Sequence, residues 1–250
     1  MPHLPGKFVW FEHISRDAKR AQSFYGEVLG WKVEPAAMGN FTYDMIKTAD
    51  GTIGGYAAPE GDEPTHWVSY VSVDDVDATA KQVTAADGKL LGAAFDIPTV
   101  GRMARCTDPF GARFDLFHST SGDGEDKPSR PAGHFDWNEL SSPEPEKAVA
   151  FYEKVLGYTH ETMPMPNGDY FILSRGGAPR GGVMKTPVAG LPSQWLPYIA
   201  VDDADAAVAR ATRSGGRLAM PAVDIPNVGR FAVLADPLGA AFGVIKPAAK

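Results

Sequence analysis

The chain has 250 residues, of which 44% are hydrophobic, enough for two domains of ordinary size with a core in each. A formal net charge of −7, a pI near 5.4 and the lack of any Lys/Arg block exclude an electrostatic surface for nucleic acid or an anionic membrane. The single cysteine, Cys106, excludes an internal disulfide and a multi-cysteine zinc site, and its strand context marks it as a small buried hydrophobe.

In chain order, Met1 to Ile14 carries no charged leader with an uninterrupted apolar segment and no small-residue cleavage site. No apolar run approaches the roughly 20 residues that span a bilayer, so a cytoplasmic chain with no membrane partner is expected. Phe8 to His13 alternates as a strand with Phe8, Trp10 and Glu12 on one face. A helix follows, with Ala21, Phe24, Tyr25, Val28 and Leu29 as its apolar stripe, Asp17 at its start and Gly30 at its end. Strands are expected over Thr42 to Lys47, Thr52 to Ala57 and Trp67 to Val73. Next comes a helix from about Val76 to Ala86, bracketed by Asp74 and Gly88. Arg102 to Thr107 and Arg113 to Phe117 close the unit as a hairpin through the turn Asp108-Pro109-Phe110-Gly111.

The whole pattern then returns. Phe24-Tyr25 and Val28-Leu29-Gly30 recur 127 residues later as Phe151-Tyr152 and Val155-Leu156-Gly157, as do Gly6, Phe8, Trp10 and Glu12 as Gly133, Phe135, Trp137 and Glu139. Gly54-Gly55 recurs as Gly181-Gly182 at the same spacing. Further on the spacing becomes 128, with Trp67, Tyr70 and Asp74-Asp75 matching Trp195, Tyr198 and Asp202-Asp203. Asp96-Ile97-Pro98 with Val100-Gly101-Arg102 likewise matches Asp224-Ile225-Pro226 with Val228-Gly229-Arg230, and Asp108-Pro109 matches Asp236-Pro237. A period this long exceeds that of solenoid repeats, so each copy is expected to be a domain, 1–118 and 133–250. Ser119 to Ala132 has the composition of a linker between them.

A strand, a helix and three strands, twice per copy, with FYxxVLG on the helix and DPxG in the final hairpin, resembles the vicinal-oxygen-chelate fold of glyoxalase, bleomycin-resistance and extradiol-dioxygenase proteins. The arrangement is similar to two-domain actinobacterial proteins described as glyoxalase-like or hydroxylase-like, which carry a Trp-x-Glu or Trp-x-Asp first strand and the Asp-Ile-Pro-x-Val-Gly-Arg segment. The resemblance implies an α+β chain of two tandem glyoxalase-like domains, each of two βαβββ modules forming a cup-shaped sheet. In that superfamily His and Glu side chains often hold a divalent metal in the cup. Carried over, the ligand positions fall on Trp10 and Trp137, Val68 and Leu196, the two Gly-Gly pairs, and Asp115 and Gly243, of which only Asp115 could bind a metal. No cofactor is therefore expected.

Face parity places Trp10, Glu12, His66, Tyr70, Arg113 and Asp115 on the cup side of the first copy, and Trp137, Glu139, Gln194 and Tyr198 on that of the second. Aromatic walls with a few polar groups suit a small planar or aromatic molecule, held for sequestration or detoxification. Glu12 and Glu139 are the candidate catalytic groups, since a carboxylate aimed into a cup is costly unless paired or used. The alternative reading is thus a lyase, hydroxylase-like or dioxygenase-type enzyme, with a carboxylate base or with a non-standard metal site in which His13, His66 and His118 join Glu12 and Asp115, although parity sets His13 and His118 on the other face. Arg102 and Arg230 read as solvated or salt-bridged hairpin residues in preference to anion clamps. A small molecule is the expected partner, and the chain is either a pseudo-dimeric monomer or a homodimer.

Overall fold

The computed structural model describes residues 1–39, 41–127, 130–165, 168–188 and 190–248. The first copy contains β1 (Phe8–Ile14), α1 (Ala18–Leu29), β2 (Lys32–Met38), β3 (Phe41–Thr48), β4 (Gly51–Ala57), β5 (His66–Ser72), α2 (Val76–Ala85), β6 (Lys89–Leu90), β7 (Phe95–Ile97), β8 (Gly101–Thr107) and β9 (Arg113–Ser119). The second contains β10 (Phe135–Ser142), α3 (Pro145–Leu156), β11 (Thr159–Met165), β12 (Gly168–Arg175), β13 (Ala178–Lys185), β14 (Gln194–Ala200), α4 (Ala204–Arg213), β15 (Arg217–Ile225), β16 (Gly229–Ala235) and β17 (Ala241–Pro247). One sheet runs β2-β3-β4-β1-β5-β9-β8-β6 with β7 on β8, and the other runs β11-β12-β13-β10-β14-β17-β16-β15. Each copy thus builds its own sheet from two βαβββ modules, as the α+β reading requires.

In every module the helix sends the chain over the sheet and the last strand returns parallel to the first, as β4 does on β1, β9 on β5, β13 on β10 and β17 on β14. Asp17 caps α1 by accepting from the Arg20 amide, and Gly30 ends it at φ +74°, a conformation that costs other residues their Cβ clearance. The cap of α2 is Asp75, which accepts from the Ala78 amide, and not Asp74, and the helix ends at Ala86 ahead of Gly88. Asp75 is the residue whose carboxylate stands within reach of the third amide of the helix, which is what N-capping requires. Periodicity did not place β2 and β11. Both are edge strands without a buried side chain, and each contains a proline, Pro35 or Pro164, tolerated only where no ladder partner is needed.

By its contacts the chain forms two compact units. The first comprises Met1–Val9, Val68–Asp126 and Trp137–Trp195; the second comprises Trp10–Trp67, Lys127–Asp136 and Leu196–Lys250. The core of the first unit gathers Val76, Val83, Phe114, Leu116, Phe151, Tyr152 and Trp195 around α2 and α3. In the second, Phe24, Tyr25, Trp31, Trp67 and Phe242 pack ring against ring under α1 and α4. The linker-like segment is anchored at Asp123, which is buried and accepts from the Leu4 amide and the Ser72 hydroxyl, both at 2.6 Å.

Each core contains one buried aspartate at the turn of its last hairpin. In the second unit Asp236 bonds His13 Nε2 at 2.7 Å and accepts from Tyr25 at 3.2 Å, while Trp67 donates to that tyrosine at 2.9 Å. In the first unit Asp108 accepts from Tyr152 at 3.3 Å and Trp195 donates to Tyr152 at 2.9 Å, but Leu140 stands where His13 would be. Burial pushes the Asp108 carboxyl above its ordinary value. For Asp236 burial acts in the same direction, but the hydrogen bond and charge of His13 outweigh it and hold the carboxyl below that value.

Candidate functional site

In the second unit β1 presents Trp10 and Glu12 on one face, and β3 reaches across to them with Tyr43. The Trp10 indole donates to the Tyr43 hydroxyl at 3.1 Å, and that hydroxyl donates to Glu12 Oε1 at 2.6 Å. The tyrosine crosses β4 to get there, and it crosses over Gly55, the strand partner of Glu12. A Cβ at Gly55 would overlap the phenol, so the glycine is what seats the ring. Burial, and next the charge of Glu12, push the Tyr43 hydroxyl far above its ordinary range, so it stays protonated and remains a donor.

The first unit repeats the array on β10, β12 and β13. Trp137 donates to the Tyr170 hydroxyl at 2.8 Å, Tyr170 is hydrogen-bonded to Glu139, and a Cβ at Gly182 would overlap the Tyr170 ring. Burial, then the charge of Glu139, likewise raises the Tyr170 phenol. Tyr43 and Tyr170 were not among the residues expected from sequence, although they obey the same 127-residue spacing and stand a fixed distance before the Gly-Gly pairs.

The remaining expected residues separate by environment. His66 is half-buried at the start of β5, with Nδ1 at 2.7 Å from the Pro64 carbonyl and Nε2 at 3.5 Å from Glu63. In the first unit Arg113 binds Asp115 through Nε at 3.0 Å, and strand register sets this buried carboxylate beside Tyr70. The second unit replaces that pair by Ala241 and Gly243, and Tyr198 lies on Gly243 so closely that a Cβ there would overlap its ring. Gln194 begins β14 and is exposed. Arg102 bridges Asp77 at 2.7 Å and Asp96 at 3.0 Å, and Arg230 bridges Asp205 and Asp224, each at 2.7 Å, which makes both of them salt-bridged hairpin residues.

The donor set does not fit a metal. Of the positions that correspond to superfamily ligands only Asp115 is a donor, and its carboxylate is engaged by Arg113. His13 is committed to Asp236 on the helix side, and His118 Nδ1 meets the Val73 carbonyl at 2.8 Å. Among the described residues no three His, Cys, Asp or Glu side chains converge. Nor is any described helix long and apolar enough to cross a membrane.

Comparison with known proteins bears on both halves of the chain. Residues 7–116 match the family model described as Glyoxalase/Bleomycin resistance protein/Dioxygenase superfamily, and residues 137–245 match that of a glyoxalase-like domain. The chain is 40% identical over 247 residues to the "Putative glyoxylase CFP32" of Mycobacterium tuberculosis, covering 96% of this chain and 94% of that one. It is 30% identical over 263 residues to the "Anthracycline biosynthesis protein DnrV" of Streptomyces peucetius, covering 97% and 94%. Among solved structures it shares its fold with 2,2',3-trihydroxybiphenyl 1,2-dioxygenase of Sphingomonas wittichii, with a TM-score of 0.66 at 16% identity over 98% of this chain and 91% of that one. The Mn(II)-bound glyoxalase of Novosphingobium aromaticivorans gives a TM-score of 0.66 at 19% identity over 97% and 82%. With two family matches in tandem and a full-length relative at this identity, the chain belongs to the glyoxalase/bleomycin resistance protein/dioxygenase superfamily, as two glyoxalase-like domains with cup-shaped sheets.

Proposed function

We propose that the protein binds a small planar aromatic molecule without using the metal site common in its superfamily. The observation that carries this reading is the Trp–Tyr–Glu array, present on Trp10, Tyr43 and Glu12 and again on Trp137, Tyr170 and Glu139. An indole pinned through its N–H offers a ring face already fixed in orientation, so little ordering entropy is lost on stacking. The carboxylate, oriented by its phenol partner, can accept a hydroxyl or ammonium hydrogen from the ligand and so set its direction in the plane. The name of the Streptomyces relative, which refers to anthracyclines, a class of fused planar rings, supports the same ligand shape.

The test is a thermal-shift and tryptophan-fluorescence titration with planar hydroxylated anthraquinones and planar cationic dyes. A stabilising ligand raises the melting temperature by mass action, and stacking quenches indole emission. Binding by the natural chain that is lost in a Trp10→Leu, Trp137→Leu double variant supports the assignment. The absence of any shift across both ligand classes would overturn it.

Catalysis is the second reading, favoured by the 2.6 Å contact that places a protonated phenol against a carboxylate, the elements of an acid–base pair. A Glu12→Gln, Glu139→Gln variant that turned over any discovered substrate at the natural rate would remove it.

A further inference from the structure

We propose that the second unit has a separate binding site for a small guanidinium compound, at the carboxyl end of α1, distinct from the Trp–Tyr–Glu array. The site is a cavity of about 290 Å³ whose lining includes Glu27, Leu29, Gly133, Asp202, Asp203 and Arg210. That is near the lower size limit of small-molecule pockets, which are typically about 300 Å³ and upward. Of its three exposed acidic residues, Glu27 accepts from the Ser214 hydroxyl at 2.7 Å and Asp203 caps α4 by accepting from the Ala206 amide at 2.9 Å, so Asp202 is the carboxylate that would meet a ligand, and the last carbonyls of α1 add the negative end of the helix dipole. The acidic lining alone would say little.

What identifies the ligand is the chain's own repeat. At the corresponding place in the first unit, the end of α3, the space is filled by a guanidinium, that of Arg175 from the end of β12. Its Nη1 donates to the Leu156 carbonyl at 2.6 Å, and its Nη2 lies 3.8 Å from Asp74. Its stem runs beside Gly6, where a Cβ would meet Arg175 Cδ at 2.9 Å, and its head lies over Gly157, where a Cβ would meet Cζ at 3.6 Å. Every one of these partners has its counterpart in the second unit: Leu29 for Leu156, Asp202 for Asp74, Gly133 for Gly6 and Gly30 for Gly157. The arginine does not, for Thr48 stands in its place and spends its hydroxyl on the Gly51 carbonyl at 3.1 Å.

The cavity therefore presents the receptor half of a guanidinium contact made elsewhere in the same chain. A Cβ at Gly30 would meet nothing within 4 Å, and among the described residues no side chain bonds the Leu29 carbonyl or the Asp202 carboxylate. Arg210, which replaces Gln82 of the first unit, does not substitute for Arg175. Its Nε caps the neighbouring Val28 carbonyl at 3.1 Å, one residue earlier. A planar cation with several donors can bridge the helix-end carbonyl and Asp202 as Arg175 bridges their counterparts, and an amine with a single point of charge fits that pair of acceptors less well.

The test is calorimetric titration of the full chain with agmatine, with the neutral N-butylurea as control and an arginine-containing tripeptide as the alternative source of the same group. Agmatine is expected to bind with a Kd of about 1 mM and butylurea to give no heat. Asp202→Asn should weaken agmatine binding roughly tenfold, Arg210→Gln should strengthen it, and Thr48→Arg should abolish it by supplying the guanidinium within the chain. Fluorescence titration of the Trp–Tyr–Glu ligand should be unchanged in all three, which separates this site from the other. No agmatine heat up to about 20 mM, or the same Kd in Asp202→Asn and Thr48→Arg as in the natural chain, would overturn the proposal. Binding of the tripeptide alone would overturn the small-molecule assignment.

Discussion

Replacing His13 by leucine should cost stability in a way that grows with pH, because the first unit already contains the result of that exchange in Leu140 and Asp108. His13 and Asp236 are both fully buried and 2.7 Å apart. Removing the imidazole leaves Asp236 with the Tyr25 hydroxyl at 3.2 Å and the Leu238 and Ala240 amides at 2.8 and 3.0 Å. Breaking a buried pair costs about 3–5 kcal/mol, and the three remaining donors put this case at the low end, about 3 kcal/mol at pH 7. In the natural protein the Asp236 carboxyl lies below its unfolded value of 3.8, so its contribution is complete above that pH and is lost as pH falls through the folded value. In His13→Leu the carboxyl should move above the unfolded value, as burial moves Asp108. The variant then binds more protons folded than unfolded, and its stability falls as pH rises from the unfolded value through the raised one. The gap between the two proteins should be smaller near pH 4 than at pH 7. Urea unfolding at both pH values, with unchanged m-values, measures it. An equal gap at both would refute the argument.

Tyr43→Phe removes the donor to Glu12 and the acceptor of Trp10, so urea unfolding should show a loss of about 1–2 kcal/mol, with weaker binding of any planar ligand. Gly55→Ala should cost about 1–3 kcal/mol by displacing the Tyr43 ring and should change tryptophan emission from Trp10, whereas Gly61→Ala, at an exposed loop, should leave that emission unaltered. Burial, and next the charge of Asp115, push the Cys106 thiol up to about 12, so a thiol reagent at pH 8 should label it only after unfolding. Labelling at the rate of a free thiol in the folded protein would contradict its place in the core.

The fold was largely legible because the sequence states it twice. The FYxxVLG helix end predicts both the buried Tyr25 and Tyr152 and the left-handed Gly30 and Gly157, and the matching offsets turn weak local signals into a domain pattern. What escaped was whatever periodicity cannot see. Strands β2 and β11 bury too little to alternate and contain prolines that only an edge accepts. The arrays were half legible. Parity placed Trp10 and Glu12 on one face, but the residue that joins them, Tyr43, comes from a strand two places away in the sheet, and its traces in the sequence are its recurrence as Tyr170 and the glycine it needs beneath it. Strand alternation sets His13 on the other face from Glu12, but its partner Asp236 is 223 residues distant, a separation at which no local pattern operates.

Planar-ligand binding at the two carboxylate-bearing aromatic arrays, as proposed, should depend on Glu12 and Glu139. Equilibrium dialysis of a hydroxylated anthraquinone against the full chain and against a Glu12→Gln, Glu139→Gln variant tests it most directly, with urea unfolding of both as the control for folding. Saturable binding by the natural protein is expected, with roughly tenfold or greater weakening in the variant. Binding that does not saturate, or that is equal in the two proteins, would contradict it.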